Sequence, residues 1–171
     1  MNEAAGAVFW AILGLALYAY AGYPAVLYLM GAFRKRKTVR DGAYTPRVVL
    51  IISVHNEERI IRDKIENSLA LDYPAERFRI VVASDGSVDA TNDIVREYES
   101  RGVALKEYDR REGKSATLNK AVLGLDGDVL VFSDANAFYR EDAILTLVRN
   151  MADEEVGCVV GRLLYLTNHS Y

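Results

Sequence analysis

The chain has 171 residues, 51% of them hydrophobic, with 21 Lys and Arg against 24 Asp and Glu and a formal net charge of −3. That is too apolar for a disordered segment and long enough for a domain with its own core. From Asp41 onward the count is 16 basic against 23 acidic, which excludes a protein that grips nucleic acid through clustered positive charge.

The first element is a membrane segment, placed at residues 1–33. Residues 4–33 carry no charged side chain and no histidine. As a helix rising ~1.5 Å per residue they would reach ~45 Å, more than a ~30 Å hydrocarbon core requires. A cleaved signal peptide fits less well, because Met1-Asn2-Glu3 is no basic leader and the apolar run is too long. Pro24 is expected to kink the helix or mark its emergence, and Trp10, Tyr18, Tyr20, Tyr23 and Tyr28 are rings of the kind that gather at an interface. Arg34-Lys35-Arg36-Lys37 and Arg40 follow in a basic linker, 34–46. Positive charge resists translocation, so this flank and everything after it are expected on the cytoplasmic side of the cell's inner membrane. The same stretch can touch anionic headgroups or act only as a solvated stop-transfer flank.

Residues 47–171 read as alternating strands and helices. Apolar runs rich in β-branched residues predict strands at 47–53, 78–84, 103–108, 128–133 and 156–160. The first, second, fourth and fifth are nearly continuous in apolar side chains, as in strands covered on both faces. The only cysteine, Cys158, lies in the last run and is expected as an inert core thiol; a single cysteine also rules out an internal disulfide framework and a multi-thiolate zinc site. Stripes at helical spacing lie between the runs: Ile61, Ile65, Leu69; Ile94, Val95, Tyr98; Leu118, Ala121, Val122, Leu125; Ile144, Leu147, Val148, Met151. The fold class is therefore α/β, a largely parallel sheet with alternating helices, and such sheets hold ligands at the carboxyl ends of their strands.

The polar segments fall at those ends. Val54-His55-Asn56-Glu57-Glu58 follows the first strand, Asp85-Gly86-Ser87-Val88-Asp89 the second, and Asp134-Ala135-Asn136 the fourth; Arg110-Arg111-Glu112-Gly113-Lys114-Ser115 precedes the third helix of the domain. Asn56, Ser87, Asp89 and Ser115 can equally be plain helix caps, and Gly86 a plain turn residue. Asp134 and Asn136, two apart on an extended segment, can present two oxygens to one ion. A hard cation such as Mg2+ takes one or two such groups and completes its shell with phosphate and water, so a metal-bridged diphosphate is expected there. Lys114 can counter phosphate charge, and Asp85 can accept hydrogen bonds from a base or ribose. Gly113-Lys114-Ser115 is not a P-loop, since the required earlier glycine is Tyr108. The first strand is not followed by GxGxxG, which argues against a dinucleotide site.

In order and spacing, Ser53-Val54-His55-Asn56-Glu57-Glu58, Ala83-Ser84-Asp85-Gly86-Ser87-Val88-Asp89, Gly113-Lys114-Ser115-Ala116-Thr117-Leu118-Asn119-Lys120-Ala121 and Ser133-Asp134-Ala135-Asn136 resemble glycosyltransferase family 2. With the membrane segment ahead of them, they look most like the membrane-bound synthases of cellulose, hyaluronan and poly-N-acetylglucosamine type. The resemblance implies a GT-A fold, with a Rossmann-like nucleotide-sugar half, and inverting transfer of a sugar from a nucleotide donor, most often UDP-linked, to a glycan or lipid acceptor. It implies a donor-binding set of His55, Asn56, Glu57, Asp85, Gly86, Lys114 and Asp134. Glu57 and Asp85 would face uridine and Lys114 the diphosphate, while Asp134 with Asn136 would hold Mg2+ or Mn2+ where the family has DxD. Asn136 in place of the last Asp departs from that pattern. The family's acidic general base follows the DxD region, as does the synthases' QxxRW motif; Asp153, Glu154 and Glu155 read instead as a solvated acidic turn. The chain is therefore expected to be the donor-binding half of a longer enzyme, inactive alone and C-terminally incomplete.

Two other readings stay open, a non-catalytic membrane-anchored α/β partner or regulatory module and a receiver-like or phosphohydrolase α/β domain; the latter needs an acidic pocket at the end of the third strand, where Asp109 is followed instead by Arg110 and Arg111. Asn168-His169-Ser170 matches a glycosylation acceptor, which a cytoplasmic location would leave unused.

Overall fold

The computed structural model describes residues 3–33 and 39–164. The basic stretch Arg34 to Lys37 and the Asn168-His169-Ser170 match lie outside the described residues. The chain divides into two compact units, Met1–Thr38 and Val39–Tyr171.

The first unit is helical: α1 (Glu3–Leu17), one π-helical turn (Tyr18–Gly22) and α2 (Tyr23–Phe33). Residues Glu3–Phe33 are long and apolar enough to cross a membrane, by length and composition. The expected perturbation at Pro24 takes the form of the π turn. Pro24 has no N–H to return to the preceding turn, and the Tyr23 N–H instead reaches five residues back to the Tyr18 carbonyl.

In the second unit, 39–46 packs on the α/β body: Asp41 N–H donates to the Arg149 carbonyl (3.1 Å) and the Tyr73 hydroxyl to the Pro46 carbonyl (2.7 Å). The elements that follow are β1 (Val48–Val54), α3 (Ile61–Leu69), β2 (Phe78–Asp85), α4 (Thr91–Arg96), β3 (Val103–Tyr108), α5 (Lys114–Ala121), β4 (Val129–Asp134) and α6 (Ala143–Val148). The described strands form one parallel sheet in the order β3-β2-β1-β4.

Side-chain alternation along β1 builds both layers. Val48, Leu50, Ile52 and Val54 face a core shared with Ile61 and Ile65 of α3, Val95 of α4, and Ile144 and Val148 of α6. Val49 and Ile51 face the other way, with Val81, Ala83 and Ala121 of α5. All of these β1 residues are essentially inaccessible, which explains the unbroken β-branched run at the centre of the sheet.

Four expectations are corrected. Residues 156–160 form no strand; among the described residues β4 pairs with β1 alone, and an apolar run without a ladder partner does not become a strand. Cys158 is consequently exposed rather than a core thiol. On β4 itself only one face is covered: Leu130 and Phe132, level with Val49 and Ile51 on the α5 side, remain exposed because α5 lies over β1 and β2. The acidic turn is not wholly solvated either. Asp153 is buried, its carboxylate accepting the N–H of Val39 (3.2 Å) and Glu155 (3.2 Å).

Candidate functional site

Register brings the ends of the strands level: Val54 pairs with Ser84, Ser53 with Asp134, and Asp85 with Tyr108. β2 and β3 extend from one side of β1 and β4 lies on the other, while α3 and α6, which follow β1 and β4, share one face of the sheet. An open parallel sheet takes its ligand outside the carboxyl ends of its strands. A cleft of about 370 Å³ opens there. One wall is His55 and Glu57 from the β1 loop, the next Asp85, Arg111, Gly113 and Lys114, and the third Asp134, Ala135 and Asn136. A second, smaller depression of about 310 Å³ flanks the end of β3, between Tyr108 and Lys120, and holds none of the candidate residues.

The segments that line the main cleft are fastened mostly by side chains bound to backbone. Asp85 is almost completely buried, and its two carboxylate oxygens accept the N–H groups of Glu112 (2.7 Å) and Gly113 (2.8 Å). Burial works against its ionisation, but these donors outweigh it and hold the Asp85 pKa below the ordinary carboxylate value. The His55 Nδ1–H donates to the Asp85 carbonyl (2.7 Å), leaving Nε2 as the ring's other polar atom. Asp85 therefore pins the loop that delivers Lys114, as well as facing the cleft.

Asn56 and Gly86, both in the expected donor set, are not among the residues lining the cleft. Asn56 adopts a left-handed backbone (φ 55°) and its Oδ1 accepts the Val88 N–H (2.8 Å), while its own N–H donates to the Ser87 hydroxyl (3.1 Å). This ties the β1 loop to the β2 loop. Gly86 (φ 65°) lies so close to the 110–111 backbone that a Cβ there would come within 2.5 Å of the Arg111 nitrogen. Asp89 continues the seam, accepting the Glu58 N–H (3.2 Å) and the Thr91 N–H (3.0 Å) at the start of α4. The plain capping reading thus holds for Asp89 and the turn reading for Gly86, whereas Asn56 joins two loops and caps no helix.

Lys114 and Asp134 meet across the cleft as an ion pair, both more than half exposed. Asp134 and Asn136 are exposed on either side of the buried Ala135, but β4 ends at Asp134, and Ala135 and Asn136 form a turn closed by the Ala137 N–H donating to the Asp134 carbonyl (3.3 Å), not the extended pair expected from the sequence. Among the described residues no group of three His, Cys, Asp or Glu side chains could hold a metal ion. One carboxylate and one amide oxygen beside an exposed ammonium make a poor closed cage. They fit a hard divalent cation that keeps water and takes phosphate oxygens from a ligand.

Residues beyond the sequence-derived set also shape the site. Arg111 adds a second cation to the cleft wall. Lys64 of α3 is fully buried beneath the loop after β4, where its ammonium donates to the Ala137 carbonyl and lies 4.0 Å from the centre of the Tyr139 ring. Burial pushes its pKa down to about 8, and the nearby Asp134 charge partly opposes the shift. The signal was a lysine inside a buried stripe, since Ile61, Lys64, Ile65 and Ser68 share one face of α3.

With this geometry in place, comparison with known proteins decides the family. The glycosyl transferase family 2 profile matches residues 49–168. The chain belongs to that family. Its relatives include the probable glycosyltransferase YdaM of Bacillus subtilis, 37% identical over 68% of this chain and 29% of that protein. Another is the beta-monoglucosyldiacylglycerol synthase of a Nostoc species, 29% identical over 67% of this chain and 25% of that protein. The chain thus spans under a third of the length of these curated relatives. Among solved structures, the mannosyltransferase PcManGT from Pyrobaculum calidifontis, in complex with GDP-Man and Mn2+, superposes with a TM-score of 0.73 at 30% identity, over 86% of this chain and 45% of that one. TarS of S. aureus in complex with UDP-GlcNAc shares the fold at a TM-score of 0.54 and 22% identity, over 57% of this chain and 29% of that one. The parallel α/β sheet is that of the GT-A fold.

Proposed function

We propose that this family 2 chain is the donor-binding half of a membrane-anchored, inverting glycosyltransferase that passes a sugar from a nucleotide donor to a glycan or lipid acceptor at the inner membrane. The observation that carries the proposal is the cleft where Asp85, Lys114 and Asp134 meet with Arg111 and Asn136. His55 and Glu57 line the side on which the base and ribose would lie. Lys114 and Arg111 would offset the diphosphate's charge, which grows as the bond between C1 and the diphosphate oxygen breaks. Asp134 and Asn136 would hold Mg2+ or Mn2+, which supplies further charge neutralisation when bound.

The Lys114–Asp134 pair is consistent with that assignment. A diphosphate would draw the ammonium away and leave the carboxylate for the cation, so donor and metal would bind together. The family resemblance favours a UDP donor, and the complex of PcManGT with GDP-Man makes GDP the alternative. The apolar helix Glu3–Phe33 supports the membrane anchor, and the diacylglycerol product named for the Nostoc relative supports a lipid acceptor. A membrane-bound synthase remains the subtype proposed from the sequence order.

Calorimetric titration of the full chain in detergent micelles with UDP and with GDP, each with and without Mn2+, tests the proposal. Binding of one nucleotide that Mn2+ strengthens is the expected result. Heat from neither nucleotide under any condition would favour the non-catalytic module.

A further inference from the structure

The segment that follows the Asp134–Asn136 pair runs along α3 and is tied to it at alternate residues. The Ala137 carbonyl accepts from the Lys64 ammonium, the Tyr139 carbonyl from the Asn67 side-chain amide (2.8 Å), and the Glu141 carbonyl from the Asp72 N–H just beyond α3 (2.9 Å). The Asn67 Oδ1 accepts the Tyr139 N–H in return (2.9 Å), so one side chain holds both polar groups of that residue. The carbonyls of residues 137, 139 and 141 are thus each claimed by α3 or the turn after it. This replaces the strand partner that 137–141 lacks. Among the described residues the buried Lys64 ammonium, stacked on Tyr139, makes no ion pair with a carboxylate, so its contact with the Ala137 carbonyl is costly to lose.

We propose that α3 sets the position of the Asp134–Asn136 pair, with Asn67 and Lys64 as positioning residues for the metal-bridged diphosphate. The inference rests on the donor and metal reading given above. Neither side chain lines the cleft, and their effect passes through the 137–139 backbone. Groups bonded directly to metal ligands typically change metal affinity about 10–100-fold when removed, and Asn67 and Lys64 act one backbone step further out. Asn67 is the cleaner probe because its loss changes no charge.

The test compares the full chain in detergent with Asn67→Ala and Lys64→Met. The measured quantity is the factor by which Mn2+ strengthens binding of the nucleotide, UDP or GDP, that the wild type takes. Both variants are expected to lose most of that factor, about tenfold or more, while nucleotide affinity without metal stays within about twofold of wild type. An undiminished factor in Asn67→Ala would overturn the inference, as would an equal loss with and without metal, which is the mark of general loosening. Should Lys64→Met fail to fold, Asn67→Ala decides alone. If the wild type itself shows no gain from Mn2+, the metal reading falls and this inference with it; a gain in the wild type that survives in the variants sinks the inference alone.

Discussion

Asp85 and Gly113, 28 residues apart in sequence, are joined by a 2.8 Å hydrogen bond from the Gly113 N–H to the buried Asp85 carboxylate. This contact delivers Lys114, the next residue, to the cleft, and it makes the position of a charged group on one loop depend on an acid at the end of another strand.

Replacing Asp85 by Asn keeps the size but leaves one backbone N–H facing an amide nitrogen. A loss of about 1–3 kcal/mol at neutral pH is expected, because a buried donor is left unmatched. The folded-state pKa of Asp85 lies below its unfolded value, so its contribution is complete above the ordinary carboxylate range near ~3.9 and is lost as pH falls through the lower folded value. Denaturant titrations from neutral to acid pH should show the wild type losing its advantage over Asp85→Asn as the pH drops. A constant difference across that range would show that the acid contributes nothing through its charge.

Gly86→Ala is expected to destabilise the domain by about 1–3 kcal/mol and weaken nucleotide binding together. The backbone is left-handed there, and the added methyl would press on the Arg111 nitrogen at 2.5 Å. Thermal melting and nucleotide titration of the same preparation check both effects; an unchanged melting temperature would contradict the close approach.

Lys114→Ala should act on binding and hardly on stability. Its pair with Asp134 is exposed on both sides, and exposed pairs contribute little to folding. Loss of a charge-assisted contact to a diphosphate should cost about tenfold or more in affinity. Normal nucleotide affinity in this variant would remove Lys114 from the site.

Asn136→Asp supplies the second carboxylate that the sequence lacks. Binding of Mn2+ without nucleotide, followed by electron paramagnetic resonance of the free ion, should tighten measurably, since hard cations gain from each added anionic oxygen. Equal Mn2+ affinity in both proteins would place the ion elsewhere.

Much of the scaffold could be read from residue pattern, and the reasons are physical. β1 and β2 are buried between helical layers, so their uninterrupted β-branched runs admitted little besides parallel strands. The loops after β1, β2 and β4 announced themselves through acids and amides that no core would tolerate. Pattern failed where a neighbour decides the outcome. The run 156–160 has a strand's composition but no ladder, and Asp153 is drawn inward by the Val39 N–H, 114 residues away. Nor did it show that Asn56 would tie the β1 loop to the Val88 backbone. Lys64 was passed over because lysine is rarely buried, although its place among Ile61, Ile65 and Ser68 on α3 was visible in the spacing.

The most direct measurement is paramagnetic broadening of amide resonances in the full chain, in detergent, by Mn2+ added with the nucleotide it binds. Resonances of His55, Gly113, Asp134 and Asn136 should broaden first, because these residues surround one cleft at the strand ends. Broadening centred on the depression beside Tyr108 and Lys120, with Asp134 and Asn136 untouched, would contradict a donor site built on Asp85, Lys114 and Asp134.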